Sequence, residues 1–305
     1  MRILIVGAGA TGGYFGARLA QAGRDVTFLV RSARAEKLRA GGLNIISPHG
    51  DFSITPNLVT ADQLAAPFDI ILLSVKAYAL DAALRDIAPA IGPNTMILPV
   101  LNGMKHMETI SARFGYALIG GVCKIAGTID TDGRVVQMTN MHDLAYGEIN
   151  GAISERIRQL DAVMKNAGFD ARLSPDIDQD MWEKWVMLAT IGGITCLMRG
   201  AIGAVEAAGG ADFALAFLEE CAAIATAEGH GPSPDLITGL RAMVTAKGSP
   251  MTTSMYRDLI AGNAVEGEQI IGDLWRRAQA HGIPAPLLAA TSVNLAVYSG
   301  KLAGL

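Results

Sequence analysis

The feature that most constrains this chain is a set of glycines closing its first apolar segment, Gly7-Ala8-Gly9-Ala10-Thr11-Gly12. Residues 2–6 read RILIV, apolar on both faces and rich in branched side chains, as a strand covered on both sides requires. Residues 11–22 then follow a helical pattern. A strand that turns into a helix this quickly needs backbone conformations and close approaches that side chains obstruct. Gly7 permits the tight turn, Gly9 leaves the backbone open to a bound group, and Gly12 lets the helix lie close to the strand. The amides at such a helix start, with Ala8, Ala10 and Thr11 between the glycines, form a cradle for phosphate. A glycine triplet alone is a weak signal. A strand before it, a helix after it and a second strand at 25–30 supply the required context.

The alternation continues with a helix at 34–40, a buried strand at 69–75, a helix at 77–91 and a strand at 95–101 that ends on Asn102-Gly103. Such alternation predicts a parallel sheet covered by helices. From 117 to 147 the pattern becomes strands separated by turns, with Asp132-Gly133 as a hairpin signal. After a helix at 154–167, Pro175 marks a boundary. No strand pattern follows it, and helices are expected near 176–198, 211–229, 235–247, 252–261, 265–281 and 286–300. The expected architecture is an α/β Rossmann-type N-terminal domain, residues 1–172, followed by an all-α C-terminal domain, residues 173–305.

Half of the 305 residues are apolar and 18% are charged, enough for two cores of ordinary size. A formal charge of −4 gives no basic surplus for nucleic acid or an anionic membrane. Cys123, Cys196 and Cys221 are far apart and show no CxxC spacing, so they read as small buried hydrophobes in a reducing cytoplasm. The histidines are equally dispersed, and no metal site is expected. Arg18 interrupts the N-terminal apolar run, and Glu183 and Lys184 interrupt the apolar stretch at 181–198, which excludes a signal peptide and a membrane span as readings. A cytoplasmic protein is expected. The Ala- and Met-rich helices of the second half fit either a homodimer interface or that half's own core.

The end of the second strand bears on the choice of dinucleotide. An acid there holds the two ribose hydroxyls of NAD, whereas this strand ends in Val30-Arg31, followed by Ser32 and Arg34. A guanidinium offers a planar fork to a 2′-phosphate that a carboxylate would repel, so NADP is the expected cofactor. The alternative is that Arg31 and Arg34 are solvated charges on a helix start. Lys76 and Asn102 also stand at strand C-termini, where open α/β sheets bind ligands. Lys76 suits a phosphate or carboxylate and Asn102 a ribose or substrate. Spacing alone equally allows a solvated lysine and an Asn-Gly turn.

With these pieces in place the chain resembles the ketopantoate reductase family over nearly its whole length. The resemblance rests on GAGATG after the first strand, Arg31 ending the second, Ser74-Val75-Lys76-Ala77 and Leu101-Asn102-Gly103-Met104. In the second half it rests on Trp182-Glu183-Lys184, Thr253-Ser254-Met255 with Asp258, Glu266, and Ala280-His281-Gly282-Ile283-Pro284 with Pro286. It implies NADPH-dependent reduction of the 2-keto group of ketopantoate to pantoate, a step of pantothenate and coenzyme A synthesis. Lys184 would be the general acid that protonates the keto oxygen, and Glu266 would accept a hydrogen bond from substrate or cofactor. Ser254 would hold the substrate carboxylate, Asn102 would touch both ligands, and Ala126 would lie along the nicotinamide. Asp258 would orient the site or form a surface pair. Without the resemblance Lys184, set between Trp182 and Trp185, reads as a lysine that must snorkel, pair or face a cavity.

Four positions depart from the family. Asparagines are usual four and eight residues after the lysine, where this chain has Leu188 and Gly192, and further ones align with Ile202 and Met251. The acid, the glutamate and the serine remain while the amide donors are gone. A site built on substrate hydrogen bonds discriminates strongly against a partner that lacks them. Three readings therefore stand: a ketopantoate reductase, a related reductase of a less polar 2-keto acid or ketone, and a non-catalytic NADP-binding sensor.

Overall fold

A computed structural model of the chain describes residues 1–304. It has two compact units, one of Met1–Leu101 with His106–Asp178, the other of Asn102–Lys105 with the chain from Gln179 onward.

The first unit is built on a five-stranded parallel sheet. Its strands are β1 (Arg2–Val6), β2 (Asp25–Leu29), β5 (Asn57–Val59), β6 (Ile70–Leu73) and β7 (Met96–Pro99), in the order β5-β2-β1-β6-β7. β6 and β7 are buried at every position and β1 at four of five, which is why their sequences are continuous apolar runs rather than alternating ones. The helix α1 (Ala10–Gln21) follows β1, and α2 (Ser32–Gly41) follows β2. Order reverses beside β1, which has β2 on one side and β6 on the other. Ligands of open parallel sheets bind outside the strand C-termini at such a switch point.

A second sheet carries β3 (Leu43–Ile46), β4 (Phe52–Ile54), β8 (Gly120–Ile129), β9 (Val135–Gly147) and β10 (Asp170–Leu173). β8 and β9 form the expected antiparallel pair. Gly133 closes their turn at φ +80°, and the Asp130 carboxylate accepts from the Asp132 and Arg134 amides at 3.0 and 2.9 Å. The register slips between Ile125 and Gly127, where the single residue Ala126 of β8 stands opposite an irregular stretch of β9, Met138 to Met141.

The expected helix at 77–91 is corrected to a short one. A 3₁₀ turn at Ala77–Ala79 leads into α3 (Leu80–Asp86), and Pro89 confines the rest to a second 3₁₀ turn at Ala88–Ala90. Proline has no amide to give and biases the residue before it away from the helical region. β3, β4, β5 and β10 were not foreseen, being three or four residues long and only partly buried. The helix α4 (Lys105–Phe114) also follows the Asn-Gly turn, with His106, Met107 and Ile110 on its buried face. α5 (Glu155–Met164) precedes β10 and is capped by the Ser154 hydroxyl, which accepts from the Ile157 amide at 3.2 Å.

Beyond β10 the regular elements among the described residues are helices, as expected, with the short helix Ile202–Ala207 an addition to the expected set. The helices are α6 (Ile177–Met198), α7 (Ile202–Ala207), α8 (Ala211–Ala227), α9 (Pro234–Val244), α10 (Ser254–Ile260), α11 (Asp273–Ala280) and α12 (Pro286–Leu302). The single helix expected at 265–281 divides instead, a π-helical turn at Glu268–Gly272 running into α11. No helix among the described residues is long and apolar enough to cross a membrane.

Candidate active site

In the first unit the glycine loop has the geometry a phosphate cradle needs. Gly7 has φ +96°, a conformation side chains rarely adopt. Gly9 is the N-cap of α1 and provides no side-chain cap, so the first amides of the helix remain available to a ligand. A Cβ built on Gly9 would meet nothing within 4 Å, whereas one on Gly12 would collide with the Gly7 carbonyl and the Ser74 hydroxyl. The loop is thus open outward at Gly9 and closed inward at Gly12. Ser74, at the end of β6, donates to the carbonyls of Val6 and Gly7 at 2.9 and 3.2 Å and holds the turn from below. These features fit a bound dinucleotide pyrophosphate.

Around the loop, Arg31 caps α2 and is exposed, and Lys76 is exposed where β6 ends. Arg34, one turn along α2, points back to the loop. Its guanidinium donates to the carbonyls of Ala8 at 3.4 Å and of Gly133 in the hairpin turn at 3.2 Å. Burial there lowers its pKa from the ordinary arginine value. The hairpin also approaches the start of α1, since a Cβ on Gly127 would lie 3.5 Å from that of Ala10, and one on Gly13 2.9 Å from Val135. Ala126 stands beside Gly127, opposite the irregular stretch of β9.

In the second unit two candidate residues 164 positions apart come together. Asn102 Nδ2 donates to Glu266 Oε2 at 3.3 Å, and Glu266 is 6% exposed although its sequence surroundings are polar. Gly103, at φ +76°, lies so close to the Gln269 carbonyl that any side chain would collide with it. Lys105 pairs with Glu268 at 3.3 Å. The segment 102–105 is thereby seated on the π turn that follows Glu266. Lys184 is half-buried on α6, beside a cluster in which Trp182 stacks on His230 and Arg277 lies over Trp182 and Trp185 at 5.5 Å. Glu183 accepts from the Ser233 amide at 2.9 Å, fixing the neighbouring turn of α6 to the start of α9.

Ser254 opens α10 and is exposed. Thr253 is the cap, its hydroxyl accepting from the Tyr256 amide at 3.2 Å. Of the four departing positions, Leu188 and Gly192 follow Lys184 at successive four-residue steps on α6. Gly192 faces the segment before α10, and a Cβ there would lie 2.9 Å from the Met255 methyl and 3.5 Å from the Thr253 hydroxyl. Ile202 is fully buried, and its amide donates to the Met251 carbonyl at 3.1 Å. Gly192 and Ile202 therefore both meet the 249–255 segment that carries Met251 and Ser254. In the sequence Ser74 stands out only as part of a motif and Trp185 only as a neighbour of Lys184, neither with a role, and Arg34 has no contact assigned. A hydroxyl at a strand end opposite a glycine triplet is the one signal that could have picked out Ser74.

Residues 3–151 match the family model described as Ketopantoate reductase PanE/ApbA, and residues 176–298 the one described as Ketopantoate reductase PanE/ApbA C terminal. A Bacillus subtilis relative, the uncharacterized oxidoreductase YkpB, is 34% identical over 303 residues, 99% of this chain and 100% of that protein. A 2-dehydropantoate 2-reductase of Caulobacter vibrioides is 28% identical over 93% of this chain and 94% of its own. Among solved structures, a D-mandelate dehydrogenase with NADH and anilino(oxo)acetate has a TM-score of 0.88 at 21% identity, covering 99% of this chain and 100% of that one. At that identity it shares the fold. Taken with the glycine cradle, these likenesses define an oxidoreductase acting on a C=O/CH–OH couple, with a nicotinamide cofactor implied. The chain belongs to the ketopantoate reductase PanE/ApbA family.

Proposed function

We propose that the chain reduces the 2-keto group of a small 2-keto acid with NADPH, ketopantoate being the substrate that family membership favours and pantoate the product. Residues 1–172 would hold the cofactor and residues 173–305 would carry the acid. The observation that carries this reading is the pairing of Asn102 with buried Glu266 on the same helical unit as Lys184.

NADPH, when bound, supplies the hydride. Gly7, Ala8, Gly9, Ala10, Thr11 and Gly12 would bind its pyrophosphate, Arg31 its 2′-phosphate, and Lys76, Asn102 and Ala126 its remaining polar edges. Negative charge grows on the keto oxygen during reduction. A Lys184 ammonium beside it would stabilise that charge and deliver the proton from Nζ. Glu266 would accept a hydrogen bond from substrate or cofactor, with its second oxygen held by Asn102. Ser254 would donate to the substrate carboxylate. The test is a panel of 2-keto acids followed by NADPH absorbance. Ketopantoate is expected to turn over with the highest kcat/KM, and failure of every 2-keto acid to oxidise NADPH would leave the sensor reading.

A second reading has its own observation. Gly192 is packed against Met255 and Thr253, and Ile202 is fully buried with its backbone amide bonded to Met251, so the wall at these positions offers no side-chain amide donor. That wall favours a 2-keto acid with a hydrocarbon side chain, and a panel won by such an acid would select this reading. The same proposal includes a cytoplasmic location, suited to three buried free cysteines, and a homodimer, which would cover the exposed Val293 and Val297 of α12. Light scattering in solution reads the second directly.

A further inference from the structure

The π turn at Glu268–Gly272 sits directly after Glu266, and single π turns recur at functional sites because they re-aim the residues beside them. Its surroundings are specific. The Ile270 amide returns to the Glu266 carbonyl at 3.0 Å, and Gly267 is pressed against Leu295 of α12, where a Cβ would come within 2.9 Å. Inside the turn, the Ile270 carbonyl accepts from the indole N–H of Trp185 at 2.8 Å. Trp185 is 1% exposed and follows Lys184 on α6. An indole N–H only donates, and a buried one requires an acceptor. Here the acceptor belongs to the segment that carries Glu266. One bond thus joins the helix turn bearing Lys184 to the backbone turn bearing Glu266. Trp182 at 4.9 Å and the Arg277 guanidinium hold the ring from its other sides.

We propose that Trp185 is a positioning residue whose indole N–H sets the place of Lys184 relative to Glu266. The inference rests on the reading of Lys184 as the proton donor. Packing alone would be served by any large apolar side chain at this position. The donor is what couples the two segments, because a displacement of α6 along the π turn must break it.

The test removes the N–H and keeps the ring. Trp185→Phe is compared with a Trp185→benzothienylalanine variant, whose sulfur replaces the N–H at nearly unchanged shape and which covers the case of a Phe variant that folds poorly. Both are expected to lower kcat about tenfold or more and to shift the alkaline limb of the kcat–pH profile, with the NADPH Kd within about twofold of the parent. The Lys184 ¹³Cε chemical shift, which needs no turnover and reports the surroundings of the side chain, should move in the same variants. Unchanged kcat, pH limb and Lys184 resonance in the benzothienyl variant would overturn the inference. Lys184→Ala run alongside separates the two claims. If it keeps full activity, the reading of Lys184 fails; if it is inactive while both Trp185 variants behave as the parent, only the role of Trp185 fails.

Discussion

Two arginines three residues apart on α2 do different work. Arg31 is exposed at the strand end, while Arg34 spends its donors on the carbonyls of Ala8 and Gly133 and so ties the glycine loop to the hairpin. Arg31→Asp should weaken NADPH and relatively favour NADH. Arg34→Met should weaken both dinucleotides by a similar factor, because the loop they share loses its strut. Paired Kd measurements by cofactor fluorescence distinguish the two; an Arg34→Met effect confined to NADPH would make Arg34 a phosphate ligand instead. Gly12→Ala places a methyl group on the Gly7 carbonyl, a backbone atom that cannot step aside. Overpacking of that kind costs about 1–3 kcal/mol, and thermal melts should show it together with weakened dinucleotide binding. For Lys184→Ala, turnover should fall at least about a hundredfold with NADPH affinity nearly unchanged, as loss of a general acid requires. Stopped-flow reduction and equilibrium binding separate the two effects.

At the scale of elements, what was legible in the sequence followed burial. β1, β6 and β7 are covered on both faces and so spell out continuous apolar runs, and the β8–β9 hairpin announces itself through Asp132-Gly133. The short strands β3, β4, β5 and β10 owe their existence to partners far along the chain, such as β3 to β9 and β5 to β2, and no local pattern encodes that. The glycine cradle was legible for the same reason as β1, since its demands are local. Glu266 was not, as a bare sequence reading. It lies in the polar stretch GNAVEGEQ, which suggests a solvated helix face, yet it is buried because Gly267 admits Leu295 and because Asn102 reaches it from a distant segment. The π turn left no signature at all. Its helical periodicity reads as one helix over 265–281, and the extra residue shows only in the backbone.

Across the molecule, a polar network inside the first unit predicts how stability responds to acid. Arg18 is 6% exposed and donates to Tyr14 Oη at 3.3 Å, and the same oxygen is hydrogen-bonded with His142 Nδ1 at 2.8 Å. His142 has its pKa lowered by burial first, then by His49, stacked on it at 3.8 Å, and by Arg18; Asp170 and Asp143 oppose the shift without reversing it. The unfolded chain therefore takes up this proton at a higher pH than the folded one. The contribution is complete above the unfolded pKa, about 6.5, and is lost as pH falls from there toward the lower folded value. Urea melts at about pH 7.5 and pH 5.5 should show the parent losing more stability on acidification than His142→Gln; equal losses would remove this residue from the acid response.

The four residues Asn102–Lys105 are spliced into the helical unit from the middle of the other unit's sequence. Neither unit is therefore a contiguous stretch of the gene. A clone beginning at Gln179 would encode seven helices yet leave Glu266 without the amide of Asn102, and the π turn without Gly103 and Lys105 lying on it. Recombination between relatives meets the same restriction. A chimera that exchanges only the C-terminal half inherits its glutamate from one parent and that glutamate's asparagine from the other, so the heritable module for this hydrogen-bonded pair is two pieces of DNA rather than one.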